Sequence, residues 1–303
     1  MLPQNQTLMI KVGTASLSCA DGRLNETFLT PFVQQIAQLK RQNNRVILVS
    51  SGAVGAGRER MRQFGWSPDA NFLLEEKAIA FTIGQPALVT RYAELFEREG
   101  FLAGQILLRN DYFSNGHTSA RNNFLANLER SFALPFFVPI LNENDFTSND
   151  ENTPLCKDDP DTFPDNDGLN SLVGRLVKAD MCITVSTHAV YTMNPCQPEA
   201  RLVPYINFAS DTQSLAALGI STEGLSCGGR GGMGNKIDWL RQFVQAGACG
   251  TRRASIIDAQ DVIERGGLVR AALGEPVGTR LVCTRPDAVR GVACSAAGYI
   301  CAA

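Results

Sequence analysis

Two short polar runs hold the side chains best suited to binding a small ligand. Asn142-Glu143-Asn144-Asp145 closes the apolar run Phe136-Phe137-Val138-Pro139-Ile140-Leu141, and about twenty residues later comes Asp165-Asn166-Asp167. The apolar run reads as a buried strand. The amides and carboxylates that follow therefore leave a strand's carboxyl end, which is where open α/β sheets bind their ligands. Groups that each donate or accept hydrogen bonds suit a small zwitterion bearing a carboxylate. A polar turn capping a strand would account for the same four residues.

Phosphate chemistry is suggested at three glycine turns. The strand through Ile10 and Lys11 runs into Val12-Gly13-Thr14-Ala15-Ser16, which puts one cation and a glycine turn at a strand end, where backbone N–H groups can face phosphoryl oxygens. Val49-Ser50-Ser51-Gly52-Ala53-Val54-Gly55-Ala56-Gly57 follows a second strand and opens into a helix. Gly228-Gly229-Arg230-Gly231-Gly232-Met233-Gly234-Asn235-Lys236 leads into a helix beginning near Ile237. None is a P-loop or a Gly-x-Gly-x-x-Gly fingerprint at the first strand. Taken singly, each is explained by a tight connection. Three in one chain, two of them with lysines, point to phosphoryl transfer.

Alternating strands and helices must position these groups. Thr7 to Val12, Arg45 to Val49, Gly104 to Leu108, Phe136 to Leu141, Met181 to Val185 and Ala254 to Ile257 are short apolar runs, as expected of strands covered on both faces. Between them Phe28, Phe32, Ile36 and Leu39 share a helical face, as do Phe124, Leu125, Leu128 and Phe132, and Ile237, Leu240 and Val244. This alternation predicts a three-layer αβα sandwich with a mostly parallel central sheet. Residues 145 to 167, with eight carboxylates, one lysine and three prolines, read as a long acidic loop, either a solvated excursion or a substrate lid.

Composition excludes several classes. With 303 residues, 44% of them apolar, the chain is long enough for one large domain or two small ones. A net charge of -2 gives no electrostatic case for nucleic acid or anionic membrane. Nine cysteines, without a Cys-x-x-Cys pair, suggest reduced thiols and a cytoplasmic location. The first twenty residues show no signal-peptide pattern, and no membrane span is visible.

Ile10-Lys11-Val12-Gly13-Thr14, Ser51-Gly52-Ala53-Val54-Gly55, Gly84-Gln85, Asn142-Glu143-Asn144-Asp145, Asn166-Asp167 and Gly231-Gly232-Met233-x-x-Lys236 occur in this order. In this they resemble the amino-acid kinase family, and within it the glutamate 5-kinases, over roughly residues 7 to 282. The resemblance implies ATP-dependent phosphorylation of the glutamate side-chain carboxylate, the first step of proline synthesis. It implies that Lys11 and Lys236 clamp the transferring phosphoryl group while Asp167 holds both ammonium groups. Ser51, Asn142, Asp145 and Asn166 would surround glutamate, with Asp145 on its α-ammonium. Gly13, Gly52, Ser186, Gly231, Gly232 and Met233 would join the two lysines on the nucleotide side. A magnesium ion would travel with ATP, held by phosphates and water rather than by a protein cage. The loop 146 to 166 would close over the substrate, and proline would act as a feedback inhibitor. A carboxylate acceptor is already ionised at neutral pH, its pKa being about 4.3, so no general base is required. His117 and His188 are accordingly read as surface or helix-cap residues.

The chain departs from the family pattern on the nucleotide side. Val185-Ser186 stands for a common Thr-Asp, Ala189 for a glycine, Arg230 for a threonine and Asn235 for another threonine. A noncatalytic glutamate- or proline-binding homologue, or another carboxylate kinase of the family, is therefore carried as an alternative. The tail Cys294 to Ala303 takes the place of an RNA-binding-like accessory domain, so residues 1–303 are read as a single kinase domain. Members of the family assemble as dimers or tetramers, and the helix Glu75 to Glu99 is an interface candidate. Its stripe Ile79, Ile83, Pro86 and Leu88 is read as core.

Overall fold

The computed structural model describes residues 3–19, 21–66, 73–113, 117–148, 163–209 and 232–284. The elements are β1 (Thr7–Val12), α1 (Thr14–Leu17), α2 (Glu26–Lys40), β2 (Arg45–Ser50), α3 (Ala53–Gln63), α4 (Leu74–Arg98), β3 (Leu102–Leu108) and a 3-10 turn (Asn110–Phe113). There follow α5 (Thr118–Ser131), β4 (Phe137–Glu143), α6 (Asn166–Leu176), β5 (Met181–Ser186) and β6 (Tyr205–Asn207). The order closes with α7 (Met233–Gln245), β7 (Arg253–Asp258), α8 (Ala259–Arg265), α9 (Gly267–Leu273) and β8 (Thr279–Val282). The strands form one sheet in the order β3-β4-β2-β1-β5-β7-β8-β6. All its pairings are parallel except β7 with β8. The tips of the acidic loop (149–162), Gly228 to Gly231 and the tail from Cys294 lie outside the described residues.

The strand period of two sorts the core into halves. Leu8, Ile10 and Val12 of the wholly buried β1 enter one cluster with α2, α4 and α9, whereas Met9 enters the other with α6 and α7. Lys11 shares the parity of Met9 and so faces α6 and α7. On β4, Val138 and Ile140 pack into the first cluster, and Asn142, with the same parity, faces α4.

Three sequence expectations need correction. β3 is an edge strand with only Leu108 fully buried, because only β4 pairs with it. The short strands β6 and β8 escaped notice, having too few residues for a clear apolar pattern. On α4, Leu88 is buried as expected, but Ile79, Ile83 and Pro86 face outward, with Ile79 47% exposed. The buried stripe of this helix is instead Ala78, Phe81, Gln85, Leu88, Tyr92 and Phe96.

α3 and α4 touch backbone to backbone. A Cβ on Gly57 would lie 1.8 Å from the Ala80 carbonyl oxygen, and one on Gly84 would lie 1.9 Å from that of Ala53. Glycine is required at both places by space alone. Gly84→Ala should therefore destabilise the fold by about 3 kcal/mol or more, since backbone cannot yield as a side chain does. Gly55→Ala, two residues from Gly57 on α3, meets only the Ser18 hydroxyl at 3.4 Å and Thr14 at 3.7 Å and should be neutral or slightly stabilising. Urea unfolding of the two variants gives the comparison, and equal loss in both would contradict the packing account.

Candidate active site

The carboxyl edge of the sheet brings together the starts of α3, α6 and α7. α6 begins where Asp165 caps it: its carboxylate accepts from the Gly168 N–H at 2.8 Å. The next two residues, Asn166 and Asp167, then project from the first helical turn in different directions. Gly168 lets this turn pack tightly, because a Cβ there would meet Phe163 at 3.0 Å and the Trp239 ring at 3.1 Å.

Asp167 meets two ammonium groups. Its Oδ1 lies 2.8 Å from Lys11 Nζ and its Oδ2 lies 3.6 Å from Lys236 Nζ, and all three residues are buried. Burial works to raise the Asp167 carboxyl, but the charges of Lys11 and Lys236 outweigh it and hold the group below the ordinary value of 3.8. Asp165 moves the other way, raised by its own burial and next by the charge of Asp167. Asn235 Nδ2 donates to Asp165 Oδ2 at 2.9 Å. Consecutive residues of α7, Asn235 and Lys236, thus grip Asp165 and Asp167 of α6. The asparagine noted as a departure on the nucleotide side has a place here as a tie between helices.

Asn166 joins the second cluster. Its Nδ2 donates to Ser51 Oγ at 3.0 Å and to Asn142 Oδ1 at 2.8 Å, while its Oδ1 accepts from the Glu143 N–H at 3.3 Å. Asn142 Nδ2 donates to Gln85 Oε1 at 2.9 Å. Beside Ser51, the Ser50 hydroxyl shares a hydrogen bond of 3.0 Å with Tyr92, whose phenol is pushed upward by complete burial. Asp145 stands half-buried on the turn after β4, where the N–H groups of Thr147 and Ser148 donate to the Asn144 carbonyl.

Gly52 has φ +102° at the entry to α3, a conformation that glycine adopts without strain. The Gly13 N–H donates to the Val185 carbonyl at 3.2 Å, tying β1 to β5 in this conformation. Gly232 caps α7, Met233 opens it half-buried, and Gly231 lies outside the described residues. Ser186 ends β5, paired in register with Asp258 of β7, so a carboxylate persists in that layer of the sheet edge. Near it a cleft of about 560 Å³ opens between Ser16, His188, Tyr191, Asp258 and Asp261. His188 Nδ1 lies 3.6 Å from Asp258, and His117 stands at the N-cap of α5. Among the described residues no group of three or more His, Cys, Asp or Glu is arranged to hold a metal ion. Asp165 and Asp167 are already engaged, the first by Asn235 and the second by the two ammonium groups.

Sequence reasoning placed Asp165 in a ligand-binding run, Gln85 in the family pattern and Asn235 among the nucleotide-side departures, but gave none of them a partner. Gln85 had a legible signal: an amide at a core position of a helix, between Phe81 and Leu88 on the apolar stripe, needs a buried partner.

Known proteins resemble this chain in sequence and in fold. Residues 6–257 match the family described as Amino acid kinase family. A glutamate 5-kinase of Methylococcus capsulatus is 34% identical over 93% of this chain and 68% of its own length. A glutamate 5-kinase of Dehalococcoides mccartyi is 31% identical over 91% of this chain and 68% of its own length. Among solved structures, a carbamate kinase from Giardia lamblia bound to AMP-PNP superposes with TM-score 0.57 at 14% identity, covering 92% of this chain and 99% of that one. An isopentenyl phosphate kinase gives 0.53 at 18% identity, covering 90% and 99%. At such identities the structural likenesses speak to the fold alone.

The Asp167 charge triad makes a pH prediction. A folded carboxyl held below its unfolded value stabilises the protein above about pH 4, and that contribution is lost as pH falls through the depressed value. Asp167→Asn should lower stability at pH 7 by about 3 kcal/mol, because it leaves two buried ammonium groups without their partner. The gap from the parent should close toward pH 2 in urea unfolding. A gap that stays constant down to that pH would mean that Asp167 is not ionised in the folded protein.

Proposed function

The chain belongs to the amino acid kinase family, and we propose that this kinase transfers the γ-phosphoryl group of ATP to the side-chain carboxylate of L-glutamate, giving L-glutamyl 5-phosphate and ADP in the opening step of proline biosynthesis. One observation carries the reading: Asn166 and Asp167 are adjacent in the chain, and the first joins the Ser51 and Asn142 cluster while the second holds Lys11 and Lys236. A carboxylate held by the first cluster and a phosphoryl group held by the second would meet at the start of α6. The relatives named glutamate 5-kinase support the choice of acceptor.

In this reaction a carboxylate oxygen of glutamate forms a bond to the γ-phosphorus while the bond to the β,γ-bridging oxygen breaks, and ADP leaves with that electron pair. No proton must be removed from the acceptor. Negative charge spreads over the phosphoryl oxygens in transit, and fixed ammonium groups stabilise it. Lys11 and Lys236 would supply them from β1 and α7. Asp167 would keep both in place. Ser51, Asn142 and Asn166 offer hydroxyl and amide groups to glutamate, and Asp145 would accept from its ammonium. Gly13, Gly52, Ser186, Gly231, Gly232 and Met233 would line the nucleotide side. Magnesium, when bound, would neutralise phosphate charge, carried by phosphate oxygens and water.

The noncatalytic alternative gains nothing from the geometry, since both lysines and their carboxylate are present and in contact. No helix among the described residues is long and apolar enough to cross a membrane. The reading includes a cytoplasmic location and proline as a feedback inhibitor competing with glutamate. It also includes a homo-oligomer, dimer or tetramer, which the outward Ile79, Ile83 and Pro86 of α4 support. Light scattering on the purified protein should give a multiple of 32.8 kDa, and a monomer mass would remove that part.

The central test is ADP release with ATP and magnesium, using glutamate, aspartate and N-acetylglutamate as acceptors and hydroxylamine to trap the acyl phosphate. Glutamate alone should give ADP and hydroxamate. Lys236→Ala should lower turnover by roughly 100-fold or more while calorimetry still detects glutamate binding. Parallel loss of both would mean that Lys236 is not confined to the phosphoryl clamp.

A further inference from the structure

Three amides and one hydroxyl form a directed hydrogen-bond chain at the acceptor cluster, ending at a fourth amide on the sheet edge. The main chain tells which end of the Asn166 amide is oxygen, because its Oδ1 accepts from the Glu143 N–H at 3.3 Å, a donor that cannot reverse. Its Nδ2 has two hydrogens, and both are committed, one to Ser51 Oγ at 3.0 Å and one to Asn142 Oδ1 at 2.8 Å. Asn142 must then turn its nitrogen away from Asn166, and that nitrogen donates to Gln85 Oε1 at 2.9 Å. Gln85, its oxygen committed, donates through Nε2 to Gln105 Oε1 at 3.2 Å. Gln85 and Asn142 are each 3% exposed, so neither amide can exchange its partner for solvent.

The direction of the chain matters at Ser51. Because Ser51 Oγ accepts from Asn166, its own O–H is directed elsewhere, as a donor. We propose that Gln85 is a positioning residue for the acceptor: by accepting from Asn142 it keeps the Asn142 oxygen on Asn166 Nδ2, and so holds that amide seated on Ser51 with the serine hydroxyl left as a donor to a carboxylate. This rests on the reading that Ser51 contacts the acceptor carboxylate. The packing of α3 on α4 gives the residue its place. Gly84, next to Gln85, lies against the Ala53 carbonyl and the Gly57 backbone, so the helix cannot shift to relieve a lost partner. Without the Gln85 oxygen, the buried Asn142 nitrogen would have to rotate toward another acceptor, releasing the Asn166 nitrogen and with it the hydroxyl.

Gln85→Met keeps length and removes the acceptor. Gln85→Glu keeps the acceptor, and the exposed Gln105 can turn its amide to donate to the new carboxylate. The methionine variant should raise KM for glutamate about 10-fold or more, with kcat and KM for ATP moving less than about 3-fold. The glutamate variant should stay within about 3-fold of the parent in KM for glutamate. In a Ser51→Ala background, Gln85→Met should add little, since the hydroxyl through which Gln85 acts is gone. An unchanged KM in Gln85→Met, or its full effect in the Ser51→Ala background, would overturn the proposal. A parent with no glutamate-dependent turnover would instead overturn the acceptor reading. Side-chain amide hydrogen exchange by NMR then tests the chain without substrate: Asn142 and Asn166 should exchange faster in Gln85→Met, and unchanged exchange would overturn the positioning role.

Discussion

Burying two ammonium groups close together is possible only with a carboxylate between them, and that requirement governs the carboxyl edge of this sheet. Lys11 arrives on β1 and Lys236 on the first turn of α7, from strands and helices far apart in the chain, and both reach Asp167. Each would carry a heavy desolvation cost alone. Together with Asp167 they form a triad with net positive charge. That is the useful residue of the arrangement: the carboxylate makes burial tolerable without cancelling the field that an incoming phosphoryl group would meet. Asp165, one position before Asn166, is drawn into the same balance. Its carboxyl is raised by burial and by Asp167, and among the described residues it is answered by the Gly168 N–H and by Asn235.

The second half of the edge is held by neutral groups, and its accuracy comes from packing. α4 presents Gln85 and Tyr92 from one buried stripe, two turns apart, to Asn142 of β4 and Ser50 of β2. Neither contact would hold if α4 could slide along α3. Gly57 and Gly84 let the two backbones close on each other at these points, which sets the helices in one register. The glycines of residues 52 to 57 therefore do unlike things. Gly52 turns the chain at positive φ, while Gly57, less than two helical turns later, makes room for a helix.

Much of this was legible in the sequence because the signals were local. Six of the eight strands among the described residues showed as apolar runs, Lys11 and Lys236 stood out at glycine turns, and Asn142, Asn166 and Asp167 stood out in two short polar runs, their roles coming from the family resemblance. What was not legible depends on contacts between distant segments. Nothing near Ile79, Ile83 and Pro86 says that they face outward, because the buried stripe of α4 runs through Phe81, Gln85 and Leu88 at the same period. β3 is apolar enough for a central strand and becomes an edge only through the sheet order. Asn235 could be seen as a substitution, yet its partner Asp165 lies 70 positions away in the chain. A glycine-rich stretch likewise does not say whether its glycines serve a turn, an anion or a neighbouring backbone.

The adjacency of Asn166 and Asp167 has a bearing on how such a protein can diversify. One peptide bond links a side chain of the Ser51 and Asn142 cluster, the proposed acceptor site, to the carboxylate that secures both cations, and Asp165 fixes the start of the helix bearing them. An insertion, deletion or rotation in this turn moves both functions at once. Descent toward a different acceptor is thus steered away from α6 and onto Ser51, Asn142, Asp145 and the supports behind them, where replacements can accumulate while the charged centre is inherited intact.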